Sequence, residues 1–335
     1  MLMPTLTRAV VRIAFALISL ALVLGTGPAA AQEADVIRLS VYQPAGLPCG
    51  PQIIAEAKGY FEEERIKFKP IFVQNGPQVV QHMAAGEIDI GCAAITVWMI
   101  GKSKNVDIVV LQSTAKGNAP LVAKPSITDI KQLDGKRCGT PGLGTIHDDN
   151  LTAFAKKHGI TIQHVYGVGM ASVVAMFDKG EIECMTGWEP LMAAAAARGN
   201  AKYLVDFMRP ESMESIEFAA MRKFAQEKPD LVYRFVRGLL KGAMFIKAKP
   251  DEAATVLAKT VGFDKNVITE SLKRAILTEP YVDLAGSRIA LDDGLAGGKI
   301  ARTAVKDPDQ YVRSLVDHSF LQRAEQALKA EGWKP

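Results

Sequence analysis

Two stretches of this chain, 94 residues apart, end in the same way. The first runs Val79-Val80-Gln81-His82-Met83-Ala84-Ala85-Gly86-Glu87-Ile88-Asp89, the second Val173-Val174-Ala175-Met176-Phe177-Asp178-Lys179-Gly180-Glu181-Ile182-Glu183. Each reads as a helix stopped by glycine and followed at once by a strand, and glycine is the natural residue for a left-handed helix stop. Two related α/β units are implied. Around the first copy the pattern gives a strand at 37–42, a turn-rich segment at 44–51 and a helix opened by Pro51, with Ile53, Ile54 and Ala57 on one face and a stop at Gly59. A strand at 68–73, a helix opened by Asn75-Gly76-Pro77 and a strand at 88–92 follow. Strands alternating with helices in this way build a parallel sheet with right-handed crossovers. Around the second copy come a strand ending at Arg137-Cys138-Gly139, a Gly-rich turn at 140–145, a helix at 148–158 stopped by Gly159, a strand near 162–166 and a helix at 172–179. Downstream of Ala219 the chain turns largely helical, with Pro229 and Pro250 opening helices, and this tail is expected to pack on the two units.

A length of 335 residues fits that organisation, because it lies above the usual ceiling for one hydrophobic core. The chain is 48% hydrophobic and 23% charged, which excludes disorder, collagen and coiled coil. Forty Lys and Arg against 36 Asp and Glu leave a net charge of +4, too weak a field to hold nucleic acid. The front carries an address: Arg8 and Arg12 precede an apolar run at 14–24, Gly25, Gly27 and Pro28 break it, and Ala29-Ala30-Ala31 supplies small residues before Gln32. This is the pattern of a secretory signal peptide over 1–31 cleaved after Ala31, since the apolar run is well short of the ~20 residues a membrane span needs. No cysteine follows the cleavage site to carry a lipid, so a soluble periplasmic product without membrane insertion is expected.

In doubly wound sheets ligands bind beyond the carboxyl ends of the strands. That rule selects the loops 44–51, 93–98, 140–147 and 186–190, where helix N-termini could hold a small anion without any arginine. Thr96 and Thr145 read as N-caps, and Trp98 and Trp188 as apolar walls of a cleft or as core. His147, beside Asp148 and Asp149, could donate to a ligand or help to cap the next helix. Enzymatic motifs fail. Gly101-Lys102-Ser103 lacks the glycine a phosphate-binding loop needs at position 96, which is Thr, and Gly167-x-Gly169-x-x-Ser172 ends in Ser where a dinucleotide turn needs Gly or Ala. The histidines at 82, 147, 158, 164 and 318 show no zinc-ligand spacing, and no Gly-x-Ser-x-Gly elbow occurs. Of four cysteines, Cys92, Cys138 and Cys184 read as strand residues, where a buried free thiol is the commoner outcome, while Cys49 could pair with Cys92 or touch ligand.

The runs Ala57-Lys58-Gly59-Tyr60-Phe61-Glu62-Glu63-Glu64, Gly86-Glu87-Ile88-Asp89-Ile90-Gly91, Leu133-Asp134-Gly135-Lys136-Arg137 and Gly180-Glu181-Ile182-Glu183, with Trp188-Glu189-Pro190, resemble the solute-binding proteins of bacterial nitrate/sulfonate/taurine-type ABC importers. Fungal thiamine-pyrimidine synthases share that fold family. The resemblance runs from about Ile37 to Lys259. It implies a type II periplasmic binding protein, α/β throughout, with two doubly wound lobes and a ligand cleft between them: lobe 1 from residues 32–122 and 219–335, lobe 2 from 123–218. Crossings are expected near 121–123 and 217–220. Ligand contacts carried over by the resemblance are Pro48, Cys49 and Gly50, Ile95 and Thr96, Gly142, Gly144, Thr145 and His147, and Trp188 with Glu189, to which placement adds Trp98. It further implies a monomeric, non-catalytic protein without cofactor or metal, whose partners are a small-molecule solute, an ABC permease and its ATPase. These loops hold no Arg or Lys but do hold Asp148, Asp149 and Glu189, so both a small anion and a neutral or cationic heterocycle or amine remain open as solute.

Overall fold

The computed structural model describes residues 34–117, 119–206 and 215–335. The expected signal peptide at 1–31 lies outside the described residues. Strand β1 (Asp35–Tyr42) leads into helices α1 (Gly50–Ala57) and α2 (Tyr60–Glu63); β2 (Ile66–Val73), α3 (Gly76–Ala84), β3 (Ile90–Ala94), α4 (Ile95–Ser103) and β4 (Ile108–Gly117) follow. Then come β5 (Pro120–Ala123), β6 (Arg137–Thr140), α5 (Ile146–His158), β7 (Gln163–Tyr166), α6 (Gly169–Asp178), β8 (Cys184–Thr186), α7 (Leu191–Ala197) and β9 (Lys202–Asp206). The last part holds β10 (Ser215–Met221), α8 (Arg222–Glu227), α9 (Pro229–Ala248), α10 (Pro250–Val261), α11 (Lys265–Leu272), β11 (Ala275–Ile276), α12 (Leu284–Ala296), α13 (Pro308–Arg313) and α14 (Ser319–Ala330).

The strands form two sheets, in the orders β11-β4-β10-β3-β1-β2 and β7-β6-β8-β5-β9. In the first, β2, β1 and β3 run parallel while β10 lies antiparallel between β3 and β4. In the second, β7, β6 and β8 run parallel and β5 is antiparallel to both β8 and β9. Each sheet is covered on both faces, which is why its strands carry apolar residues on both sides. Leu39, Ile90 and Phe218 pack under α1 and α9, whereas Ala219, Val110 and Trp98 belong to the opposite layer with Leu291 and Tyr311. In the second sheet, Leu121 and Cys138 meet Leu151 of α5 on one side, and Val122 and Met185 meet Val173 and Met192 on the other.

The repeated sequence makes a repeated structure. Gly86 and Gly180 both take left-handed φ, 72° and 77°. The amide of Glu87 reaches the His82 carbonyl at 2.8 Å, and that of Glu181 reaches the Met176 carbonyl at 2.9 Å. The closing acid does the same work twice. Asp89 donates its amide to the Arg38 carbonyl and accepts the Arg38 amide on its carboxylate, both at 2.9 Å. Glu183 makes the same pair with Arg137, at 2.9 and 3.0 Å. Each acid thus fixes the entry of the neighbouring strand, which explains why the motif ends in a carboxylate.

The chain passes to the second sheet between Gly117 and Pro120 and returns between Asp206 and Ser215. Both passages come before the crossings expected from sequence, because residues 121–123 already pair within β5 and 217–220 within β10. The tail reaches beyond one unit: Ser271 of α11 donates to Glu189 at 3.3 Å, and the Arg274 guanidinium lies 3.7 Å over the Tyr203 ring on β9.

Candidate ligand-binding cleft

A cleft with about 630 Å³ of empty space, partly open to solvent, lies where the strand ends of the two sheets meet. The first sheet contributes Tyr42 from the end of β1, Gly46, Pro48 and Cys49 from the loop behind it, and Asn75 and Gly76 at the start of α3. Ala93 and Ala94 end β3, and Val97 sits in the first turn of α4. From the second sheet come Pro141, Thr145, Ile146 and His147, where β6 passes into α5, and Trp188 beyond β8. Ala119 and Ile216 complete the lining near the passages between sheets. Among these described lining residues there is no Lys, Arg, Asp or Glu.

What the cleft offers a charge is backbone. Four helices begin in its wall: Cys49 stands at the N-cap of α1, Asn75 of α3, Ala94 of α4 and Thr145 of α5. Asn75 accepts the Gln78 amide at 3.1 Å and Thr145 the Asp148 amide at 3.3 Å, so these two ends are capped from within. Each N-terminus carries roughly half a positive charge, and the four together favour an anion.

The side chains make an aromatic wall. Trp188 stands edge-on to Tyr42 at 5.7 Å between centroids, and His147 tilts against it at 5.8 Å. Tyr42 is held by its hydroxyl, which donates to the Cys92 carbonyl at 2.7 Å, and burial pushes its pKa well up. Gly46 makes the wall possible: a Cβ there would lie 2.4 Å from Trp188 Cδ1, so only glycine lets the loop lie on the ring. Burial pushes the His147 pKa down to about 3, so the imidazole is neutral near pH 7. Two polar atoms in this wall, His147 Nδ1 and Trp188 Nε1, are buried without a hydrogen-bond partner.

Comparison with known proteins places the chain and its fold in a lineage. The family described as NMT1/THI5 like matches residues 49–253, more than half of the sequence. The chain belongs to that family. A putative aliphatic sulfonates-binding protein of Bacillus subtilis (strain 168) is 28% identical over 301 residues, covering 86% of this chain and 87% of its own. The taurine-binding periplasmic protein of Escherichia coli (strain K12) is 25% identical over 228 residues, 65% of this chain and 69% of that one. The solved structure of the alkanesulfonate-binding protein from Xanthomonas axonopodis pv. citri, bound to MOPS, superimposes with a TM-score of 0.73 at 16% identity, covering 86% of this chain and all (100%) of that one. The fold is that of a type II periplasmic binding protein, with two doubly wound lobes and a cleft between them.

Of the residues that sequence reasoning assigned to a site in this NMT1/THI5-like chain, Pro48, Cys49, Thr145, His147 and Trp188 line the cleft. The others do not. Trp98 is fully buried in the layer beneath the first sheet and is core, not a cleft wall. Ile95 is core as well, and Thr96 is not an N-cap: α4 starts two residues earlier than that cap would require, so Ala94 takes the place and Thr96 lies inside the first turn. Glu189 turns away from the lining. Its carboxylate accepts from the Tyr203 hydroxyl at 2.7 Å and the Ala193 amide at 2.9 Å, as well as from Ser271, and its own carbonyl accepts the Leu47 amide at 2.9 Å. Gly50, Gly142 and Gly144 shape the loops without lining the cavity; at Gly142 a Cβ would meet the Asn75 amide nitrogen at 3.1 Å. Tyr42, Asn75, Gly76, Ala119 and Ile216 lay outside all four loops named from sequence. Tyr42 and Asn75 could have been found by extending the strand-end rule to the last residue of β1 and the turn after β2.

Two of the cysteines depart from expectation, and Cys92 meets it. Cys138 and Cys184 sit opposite one another on β6 and β8, with Cα atoms 4.5 Å apart, and form a disulfide where buried thiols were expected. Cys49 and Cys92 are buried free thiols, Sγ to Sγ 2.9 Å.

Proposed function

We propose that this protein is the periplasmic solute-binding subunit of an ABC importer, that it captures a small anion, and that it catalyses no reaction. The observation that carries this reading is the convergence of four helix N-termini on one cleft whose described lining residues include no Lys, Arg, Asp or Glu. Lobe 1 is the part built on the first sheet, residues 35–117 with 215–335, and lobe 2 the part built on the second, residues 120–206, so the lobe boundaries move from the expected 122/123 and 218/219 to the passages between the sheets. Ligand bridges them through both walls, and the closed form is what a membrane permease with its ATPase would recognise. Selection follows from differential affinity for the closed state. Of the expected contacts, Pro48, Cys49, Thr145, His147 and Trp188 are assigned to the ligand, together with Tyr42 and Asn75. The signal peptide is removed near Ala31 and the product is a soluble monomer; among the described residues no helix is long and apolar enough to cross a membrane.

Thermal-shift screening of the purified protein against sulfonates, nitrate, carboxylates, pyrimidines and amines tests the reading, because a solute bound to the folded state raises its melting temperature. A shift with an anion supports anion capture. That no lysine or arginine stands among the described lining residues favours a neutral heterocycle as second reading, and a shift confined to pyrimidines or amines would select it.

A further inference from the structure

We infer that the solute is a planar aromatic monoanion, a ring bearing one carboxylate or sulfonate, held with its charged group at the helix N-termini and its ring against Tyr42 and Trp188. This rests on the reading of anion capture and narrows it. An ammonium group on the solute would meet no carboxylate among the described lining residues, which disfavours a zwitterion, since its positive end would find no partner there. Among the described lining residues there is no Lys or Arg, and the charge that backbone dipoles alone can balance is limited, which favours a single negative charge. A small inorganic anion would satisfy the helix ends and leave the apolar faces of Val97, Ile146, Trp188 and Ile216 uncovered. A flat ring covers those faces and can meet Tyr42 and Trp188 in the stacked or edge-on geometries aromatic groups prefer. The two orphaned polar atoms complete the match. Trp188 is 6% exposed and its Nε1–H can only donate, so an acceptor on the solute would satisfy it; His147, equally buried, leaves Nδ1 without a partner in the same wall.

Titration calorimetry on the purified protein, freed of co-purified solute, would compare benzoate and benzenesulfonate with nitrate, taurine and the uncharged ring benzamide. The expected result is that at least one aromatic anion binds ten times or more tighter than nitrate, taurine and benzamide. Nitrate or taurine binding as tightly as the aromatic anions would overturn the ring and leave anion capture standing. Benzamide binding as tightly as benzoate would overturn the anionic head and the anion reading with it, and silence towards all five probes would overturn both. Trp188→Phe keeps the ring and removes the donor. Its expected effect is about a tenfold loss of affinity for the preferred aromatic anion with the melting temperature of the free protein unchanged; unchanged affinity would overturn the donor role of Nε1.

Discussion

His147 and Glu217 are both buried and both displaced from their ordinary ionisation, in directions that oppose each other. His147 takes no proton in the native state until about pH 3, while the unfolded chain takes one near 6.5. The unfolded state therefore binds more protons across that window, and this group's contribution to stability rises with pH there, by about 1.4 kcal/mol per pH unit. Glu217, on β10 between β3 and β4, is pushed up to about 8 by burial, against the opposing pull of the Ser215 hydroxyl and the Lys116 charge. It holds a proton in the native state that the unfolded chain loses near 4.5, so its contribution falls as pH rises from 4.5 to 8. The two slopes cancel between 4.5 and 6.5. Melting temperatures recorded across pH should show Glu217→Gln abolishing a decline between 6.5 and 8, and His147→Gln flattening the rise between 3 and 4.5. Glu189 is the third decisive residue. Removing it by Glu189→Ala leaves the Tyr203 hydroxyl and the Ala193 amide without their acceptor, which should cost about 1–3 kcal/mol in denaturant unfolding, and the loss should be visible in the absence of any ligand.

At the scale of elements, the Gly-Glu-Ile-acid turn is the clearest unit. A Cβ at Gly86 or Gly180 meets nothing within 4 Å, so the cost of alanine at either site is purely that of a left-handed backbone, about 1–2 kcal/mol. Equal losses in urea unfolding are therefore expected for Gly86→Ala and Gly180→Ala, and unequal ones would mean that the two turns do not share one role. The turns also show how boundaries slip. Periodicity put a strand at 88–92, but Asp89 is occupied with Arg38 on both its amide and its carboxylate, and β3 begins only at Ile90. The parallel cores of both sheets were legible because helices with glycine stops alternate with short apolar runs. The antiparallel strands β4, β5, β9 and β10 were not, since no helix stands between β4 and β5 or, among the described residues, between β9 and β10, and the pairing of β10 joins segments about 100 residues or more apart.

Across the whole molecule, several contacts span the cleft. The Leu47 amide meets the Glu189 carbonyl, Asn75 lies against Gly142, and Lys299 forms an ion pair with Asp149 at the start of α5. The Lys299 side chain is one-third exposed and that of Asp149 one-fifth, which places the pair among contacts worth at most about 1 kcal/mol. If it helps to hold the closed form, Lys299→Ala should raise the dissociation constant for solute by up to about fivefold, mainly through a faster off-rate, with little change in the melting temperature of the free protein. An unchanged off-rate would show that the pair has no part in closure.

Sequence by itself determined the two α/β units, their glycine-stopped helices and the family resemblance, because these depend on local propensity and on a pattern repeated along the chain. It also located most of the loops at the cleft, through the rule that strand ends carry ligands. Only the tertiary structure decided which loop residues face inwards. Trp98 and Trp188 both follow a strand, yet Trp98 lies in the first turns of α4 and packs beneath its sheet, whereas Trp188 precedes α7 and is met by Gly46 from across the cleft. Tyr42, the Glu189 anchor and the Cys138–Cys184 pair were decided in the same way, because each depends on a partner brought near by folding from between 14 and 82 residues away in the chain.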